Sequence, residues 1–326
     1  MRVGSLVYAT EQGLGILAKS FYDAGVLTDV LVVKHSHYAS QHEWYPGSNV
    51  VSGRETTRDT TLANSFIKDM DAMLFFETPF YWSLLRTCKE RGVRTYLMPM
   101  YECMPKKLPC EPDRFICPSL LDLRYFPDRS QFIPVPVDVP WKLREKALTF
   151  VHNAGHGGLK GRNGTGQLLD AMKYVKSPIK LILRSQKKLQ WGVDDSRIDY
   201  RVGTFPASDL YTEGDVFVFP ERFNGLSLPL QEAFASGMLV MATDRFPMNT
   251  WLPNAPLIPV DHYERNQVSG RMMDFDDAVV HPGAIADMID RWFDKNITSY
   301  SLQGKEWAET NSWEKLKSVY LEALSR

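Results

Sequence analysis

The sequence predicts an α/β protein built from two Rossmann-like, doubly wound domains. Three observations predict it. Apolar, β-branched runs alternate with helix-period segments. The alternation halts between Phe132 and Trp141, where Pro134, Pro136 and Pro140 precede the charged run "KLREK", and then starts again. The length of 326 residues exceeds what one hydrophobic core normally supports.

In the first half, "RVGSLVYA" reads as a buried strand, Gly15 to Asp23 as a helix, "TDVLVVK" as a strand and the segment near Leu62 to Met70 as a helix. The pattern continues with "AMLFFE", a helix from Tyr81 to Arg91 and "RTYLMP". Strands that are apolar on both faces, separated by helices, imply a parallel sheet covered on both sides. The second half runs "LTFVHNAG", a helix from Thr165 to Val175, "IKLILRS", "RIDYRVG", a short helix from Ala207 to Glu213, "DVFVFP", a helix around Leu228 to Ser236, and "LVMATD". From Ala284 to Arg326 the tail reads as helix throughout, with Trp292, Trp307 and Trp313 as apolar anchors. Two such domains imply a central cleft between them.

Apolar residues make up 44% and charged residues 24%, the balance of a globular protein rather than a disordered one. The formal net charge of −1 provides no overall field for a polyanion, so nucleic acid is not the favoured partner. The N-terminus enters its first strand without the features of a signal peptide, and no apolar run reaches the roughly 20 residues that span a bilayer. A cytoplasmic protein is expected, with peripheral membrane contact left open. Cys88, Cys103, Cys110 and Cys117 lack Cys-x-x-Cys spacing and read as reduced thiols rather than a metal site or disulfide frame.

Ligands of open α/β sheets sit beyond the carboxyl ends of the strands, so the segments that follow the strands are the candidates. After the first strand, Gly13 and Gly15 in "TEQGLGILAKSF" allow a tight turn into a helix whose N-terminus suits an anion; plain strand-to-helix packing explains them equally well. After the first strand of the second half, "HNAGHGGLKGRNGTG" holds six glycines, among them Gly157 and Gly158, together with Lys160 and Arg162. Exposed amides beside two cations favour phosphate over a plain surface loop, although the spacing matches neither a Walker A nor a GxGxxG motif. His152 and His156 are four apart in a glycine loop, where that spacing does not build a zinc site. Arg184 stands at the end of "IKLILRS", balanced between a ligand role and a solvated one.

The segment "ERFNGLSLPLQEAFASG" carries the most. Gly225 is expected to let the amides of Leu226, Ser227 and Leu228 point outward at a helix start. Glu232 follows one turn later, where a carboxylate can accept vicinal hydroxyls such as those of a ribose. A solvated Glu232 on an amphipathic helix is the plainer alternative.

Together these residues resemble the donor domain of retaining GT-B glycosyltransferases, especially the large family-4 group. In that family a strand ending in Pro leads into a Glu, Gly, Phe or Leu, Gly, Leu, Pro run and a Glu-Ala-x-Ala-x-Gly helix; here the stretch is "PERFNGLSLPLQEAFASG". "MATD", then Pro247 and Asn249, resemble the segment that comes next. The family carries two glutamates separated by seven residues. Glu232 falls on the second, which implies contact with the nucleotide ribose, and Asn224 falls on the first, which touches the transferred sugar; Glu221 is a candidate substitute. Arg162 resembles the family's donor-phosphate residue, and Asn163 replaces the lysine expected after it, so Lys160 or Arg184 would complete a two-cation clamp.

The resemblance implies an acceptor-binding domain over 1–138, a donor-binding domain over 139–308 and a helix over 309–326, including "NSWEKLKSVYLEAL", that crosses back to the first domain. It implies sugar transfer from a UDP- or GDP-sugar to an acceptor hydroxyl, with retention, and with the nucleotide sugar as co-substrate rather than any metal or resident cofactor. "DFDD" at Asp274 to Asp277 is expected in a surface loop, away from any metal site. In the first domain "ETPFYW" and "MPMYECMP" offer aromatics for stacking, with Glu77 and Glu102 as candidates to orient or deprotonate the acceptor. The acceptor stays open among saccharide, lipid-linked sugar, protein and modified DNA base, the last permitted by Lys106, Lys107, Arg114 and Arg124. A nucleotide-sugar 2-epimerase and a non-catalytic nucleotide-sugar-binding protein are the alternatives.

Overall fold

The structure, a computed structural model, describes residues 1–36, 39–53, 56–155, 161–189, 192–206, 209–252, 254–266 and 272–326. The chain forms two compact units. One comprises Met1–Val135, residues 272 and 273 and Trp313–Arg326; the other comprises residues 136–266 and 274–312.

The first unit holds seven parallel strands, β1 (Val3–Tyr8), β2 (Asp29–Val33), β3 (Val50–Val51), β4 (Ala72–Glu77), β5 (Arg94–Pro99), β6 (Arg114–Cys117) and β7 (Ser130–Phe132), in the order β3-β2-β1-β4-β5-β6-β7. Helices α1 (Gly13–Asp23), α2 (Thr57–Phe66), α3 (Trp82–Glu90) and α4 (Leu120–Tyr125) connect them. The central strands are buried along almost their whole length, which is why they read as unbroken apolar runs. Ser5 is tolerated inside β1 because its hydroxyl donates to Leu74 O at 2.6 Å.

The second unit repeats the plan. Its six parallel strands, β8 (Thr149–Gly155), β9 (Lys180–Ser185), β10 (Ile198–Val202), β11 (Val216–Phe219), β12 (Leu239–Thr243) and β13 (Leu257–Ile258), stand in the order β10-β9-β8-β11-β12-β13. Helices α5 (Thr165–Ala171), α6 (Leu228–Ala235) and α7 (Met248–Trp251) lie between strands. An antiparallel hairpin of β14 (His262–Asn266) and β15 (Phe275–Val279) precedes α8 (Pro282–Trp292) and α9 (Thr298–Thr310). In each sheet the chain reverses its direction of winding once, between β1 and β4 and between β8 and β11.

The last helix, α10 (Trp313–Ser325), belongs to the first unit. Phe21 of α1 meets Trp313 and Tyr320 edge-on, with ring centroids 4.8 Å apart in both pairs, and the Trp313 indole N–H donates to Ser20 Oγ at 2.6 Å. The other two tryptophans anchor the second unit: Trp307 stacks on Trp251 at 5.3 Å and Trp292 meets Tyr300 at 5.2 Å.

Four expectations change. The tail is not one helix: α8, α9 and α10 are separated by breaks at 293–297 and 311–312. "DFDD" is not a surface loop, because Phe275 to Asp277 belong to β15 and pair with β14. Helix α2 begins earlier than its apolar residues suggested, after Thr56, whose hydroxyl accepts the Asp59 N–H, and a 3-10 turn over Ile67–Asp69 carries it to the expected end. Of the short helix expected from Ala207 to Glu213, residue 209 is 3-10 helical and residues 210–212 form a turn, while residues 207 and 208 lie outside the described residues. Two buried guanidinium groups hold this turn: Arg184 donates to Leu210 O at 3.0 Å, and Arg144 to Tyr211 O at 2.7 Å and Gly214 O at 3.2 Å. Among the described residues no helix is long and apolar enough to cross a membrane.

Candidate functional site

The reversal between β8 and β11 places the two richest sequence segments side by side, which is where open α/β sheets bind ligands. Gly164, with φ +69°, leads into α5, and a Cβ there would stand 2.0 Å from Pro220 O at the end of β11. The glycine therefore lets the two strand ends close on each other. Further bonds tie them: Arg162 Nε donates to Phe223 O at 2.9 Å, and the Arg222 N–H donates to Arg162 O at 2.8 Å. Asn163, in the position where a second cation was sought, donates instead to Ala154 O at 2.9 Å. His152 is fully buried, its Nδ1 2.8 Å from Val218 O and its Nε2 2.9 Å from Thr165 Oγ1. Burial pushes its pKa down to about 4, so it is a neutral core residue with Nδ1 protonated toward the carbonyl. His156, Gly157, Gly158 and Lys160 lie outside the described residues.

The turn from β11 to α6 departs from the expected geometry. Gly225 has no positive φ; Ser227 takes the left-handed conformation, with φ 48° and ψ 56°. A non-glycine residue there costs about 1–2 kcal/mol, and its surroundings offset that cost. The Ser227 hydroxyl donates to Glu221 Oε2 at 2.9 Å, while its N–H and that of Leu226 donate to Asn224 Oδ1 at 2.8 and 3.2 Å. Two of the amides expected to face outward are thus capped by Asn224; Gly225 and Leu228 are the residues of this turn whose amides it does not cap. Glu221 is fully buried and braces Ser227 by accepting its hydroxyl.

Arg245, which the sequence reading passed over, joins this cluster. It is 4% exposed, donates to Asn224 O at 3.1 Å and lies 4.8 Å from the centre of the Phe223 ring. Phe275 of the hairpin stacks on Phe223 at 4.1 Å. The only sequence signal of Arg245 was its place just beyond β12.

Glu232 is not isolated. It is half-buried on α6, and the Tyr211 hydroxyl donates to its Oε2 at 2.6 Å. Burial pushes the Glu232 pKa up to about 7, and the Tyr211 bond acts against that shift. Arg184 is 3% exposed, bonded to Leu210 O and 3.4 Å from Asn153 Oδ1, with Glu213 Oε1 3.9 Å away. It supports the turn that carries Tyr211 rather than reaching into solvent. No local pattern marked Tyr211 as a partner of Glu232.

In the first unit, a Cβ on Gly15 would stand 2.1 Å from Thr10 O, whereas one on Gly13 would meet nothing within 4 Å. Gly15 is therefore needed for close packing of α1 against the end of β1, and Gly13 is not. Glu77 ends β4 with φ 57°, a strained backbone for a non-glycine residue. It flanks the winding reversal of its own sheet, opposite Tyr8 at the end of β1, whose ring meets His35 and Phe80 at 4.7 Å each. Glu102 is 8% exposed and adjoins Asp122, which accepts the Tyr101 N–H at 2.9 Å and the Ser119 hydroxyl. The Asp122 pKa is pushed up to about 7 by burial, with the Glu102 charge adding to the shift.

No protein-family model matches the chain, and neither does any curated protein. Solved structures do. HepE of Anabaena in complex with UDP matches with a TM-score of 0.71 at 11% identity, covering 100% of both chains. Sucrose-phosphate synthase of Thermosynechococcus elongatus matches with a TM-score of 0.64 at 13% identity, covering 100% of both chains. The lipopolysaccharide outer core galactosyltransferase WaaB matches with a TM-score of 0.59 at 11% identity, covering 100% of this chain and 98% of that one. The protein has the GT-B fold, two Rossmann-like α/β domains, that these structures share.

Proposed function

We propose that the protein is a glycosyltransferase that takes a sugar from a nucleotide-sugar donor, a UDP-sugar foremost, and passes it to an acceptor hydroxyl. One observation carries this reading: at the β8/β11 reversal Arg162 is bonded to Phe223 O in the turn that leads into α6, the helix that carries Glu232. Support comes from the fold: HepE is known in complex with UDP and with UDP-glucose, and WaaB is named a galactosyltransferase.

In this reading the diphosphate lies across the junction. Arg162 and the amides of Gly225 and Leu228, at the positive end of α6, stabilise the charge that grows on the leaving nucleoside diphosphate. Fixed donors supply that stabilisation without calling on a metal. Glu232 accepts the ribose hydroxyls through the oxygen that Tyr211 leaves uncovered. Asn224 stands where the resemblance places a sugar-contacting glutamate, and its amide would both cap the turn and select the donor sugar. Retention follows if the acceptor attacks from the face the nucleotide leaves, which needs no protein nucleophile. The first unit would supply the acceptor site, with strained Glu77 preferred over buried Glu102 as the group that orients the acceptor hydroxyl.

A thermal-shift series with UDP, GDP and their sugars tests this, since a ligand at 100 times its Kd stabilises the folded protein by about 2.7 kcal/mol. Isotope-labelled UDP-sugar then separates the outcomes. A labelled glycoside or donor hydrolysis is expected. Conversion to a 2-epimer, or tight binding without turnover, would replace the transferase reading with the corresponding alternative.

A further inference from the structure

The Tyr211–Glu232 pair is built from two elements that one side chain clamps together. Tyr211 is 3% exposed, in the turn before β11, and its ring meets Phe217 edge-on at 5.8 Å. Its hydroxyl donates to Glu232 Oε2 at 2.6 Å. Arg144, 2% exposed, donates through Nη2 to Tyr211 O at 2.7 Å and through Nη1 to Ser236 O, the residue that closes α6. It also reaches Lys142 O at 2.6 Å and Gly214 O at 3.2 Å, and its own N–H donates to Ser301 Oγ at 3.0 Å. One guanidinium thus binds the turn that carries Tyr211 and the C-terminal end of the helix that carries Glu232. The helix end, with its unpaired carbonyls and negative dipole, is where a buried cation is best placed.

Resting on the reading of Glu232 as the ribose acceptor, we infer that Tyr211 is the positioning residue for Glu232. It fixes one carboxylate oxygen so that the other faces the nucleotide's vicinal hydroxyls. A carboxylate on a flexible Glu side chain would otherwise lose rotamer freedom on binding, and a tyrosine locked by packing and by Arg144 removes that cost beforehand. Tyr211 itself does not touch the ligand; it acts through Glu232.

The test compares UDP with 2′,3′-dideoxy-UDP by calorimetry on the full chain, in the wild type, Tyr211→Phe, Glu232→Ala and the double variant. Phe keeps the buried ring and removes only the hydroxyl. The wild type should prefer UDP. Tyr211→Phe should weaken UDP by about fivefold, the equivalent of one net hydrogen bond, and change dideoxy-UDP by less than about twofold. In the Glu232→Ala background the same change should have no further effect on UDP. Equal weakening of both nucleotides by Tyr211→Phe, an unchanged UDP preference, or a full effect in the Glu232→Ala background would each overturn the inference. A wild type that binds UDP without preferring it over dideoxy-UDP would overturn both the ribose reading and this inference. A wild type that binds neither would remove the nucleotide-sugar reading itself.

Discussion

Asn224 Oδ1 receives the Ser227 N–H at 2.8 Å, and with it the strained turn into α6 is closed by a side chain three residues away. The same oxygen receives the Leu226 N–H at 3.2 Å. This is an amide performing the work of a helix cap one turn early. Asn224→Ala should lower stability by about 1 kcal/mol, the typical value of such a cap, read as a lower urea midpoint with an unchanged m-value. Unchanged stability would mean that Ser227 holds its left-handed backbone without help.

Gly164 is the contact point between the two strand ends. Alanine there would place its Cβ 2.0 Å from Pro220 O and would also have to adopt φ +69°. The obstacle is backbone, not the far end of a flexible side chain, so relaxation must move the site. Gly164→Ala should cost more than about 2 kcal/mol and weaken UDP binding together with stability. Gly13→Ala is the control, because open space surrounds that position. Calorimetric melting of the two variants checks the contrast.

His152 should make stability depend on pH. Its pKa is held near 4 in the folded protein by burial and is close to its ordinary value of 6.5 when unfolded. Between those values the unfolded chain binds the extra proton. The stabilisation is therefore fully present above about pH 6.5 and is lost as pH falls toward 4, by up to roughly 3 kcal/mol in all. Urea unfolding of wild type and His152→Gln at pH 7 and pH 5 should show a smaller pH difference in the variant.

Strands β1, β2, β4, β5 and β8 to β12 and the position of α6 were legible because buried parallel strands write themselves as apolar runs, here "LTFVHNAG" and "DVFVFP", and because Gly and Pro punctuate their ends; the short or outlying strands β3, β6, β7 and β13 and the hairpin of β14 and β15 lack such runs and were not read. Strand order was not written in the alternation; the reversal between β8 and β11 brings Arg162 to the Phe223 carbonyl across 61 residues. What the sequence could not show is long-range polar pairing. Tyr211 and Glu232 are 21 residues apart and Arg144 and Ser236 are 92 apart, with no periodicity linking them. Ser227 in place of Gly225 as the left-handed residue was hidden for the same reason. Its conformation is stabilised by Glu221 and Asn224 rather than by its own backbone preference.

The central claim is that a nucleoside diphosphate binds at the β8/β11 junction through Arg162 and Glu232. The most direct measurement is the calorimetric affinity for UDP of wild type, Arg162→Ala and Glu232→Gln, taken across about pH 6 to 8. Glu232 titrates near 7, so the wild type should gain affinity with rising pH beyond any change in Glu232→Gln, as the carboxylate becomes able to accept both ribose donors. Arg162→Ala should lose about tenfold or more at every pH, as expected for a charge-assisted bond to phosphate. Equal UDP affinity in all three proteins, or the same pH dependence with and without the carboxylate, would contradict the account.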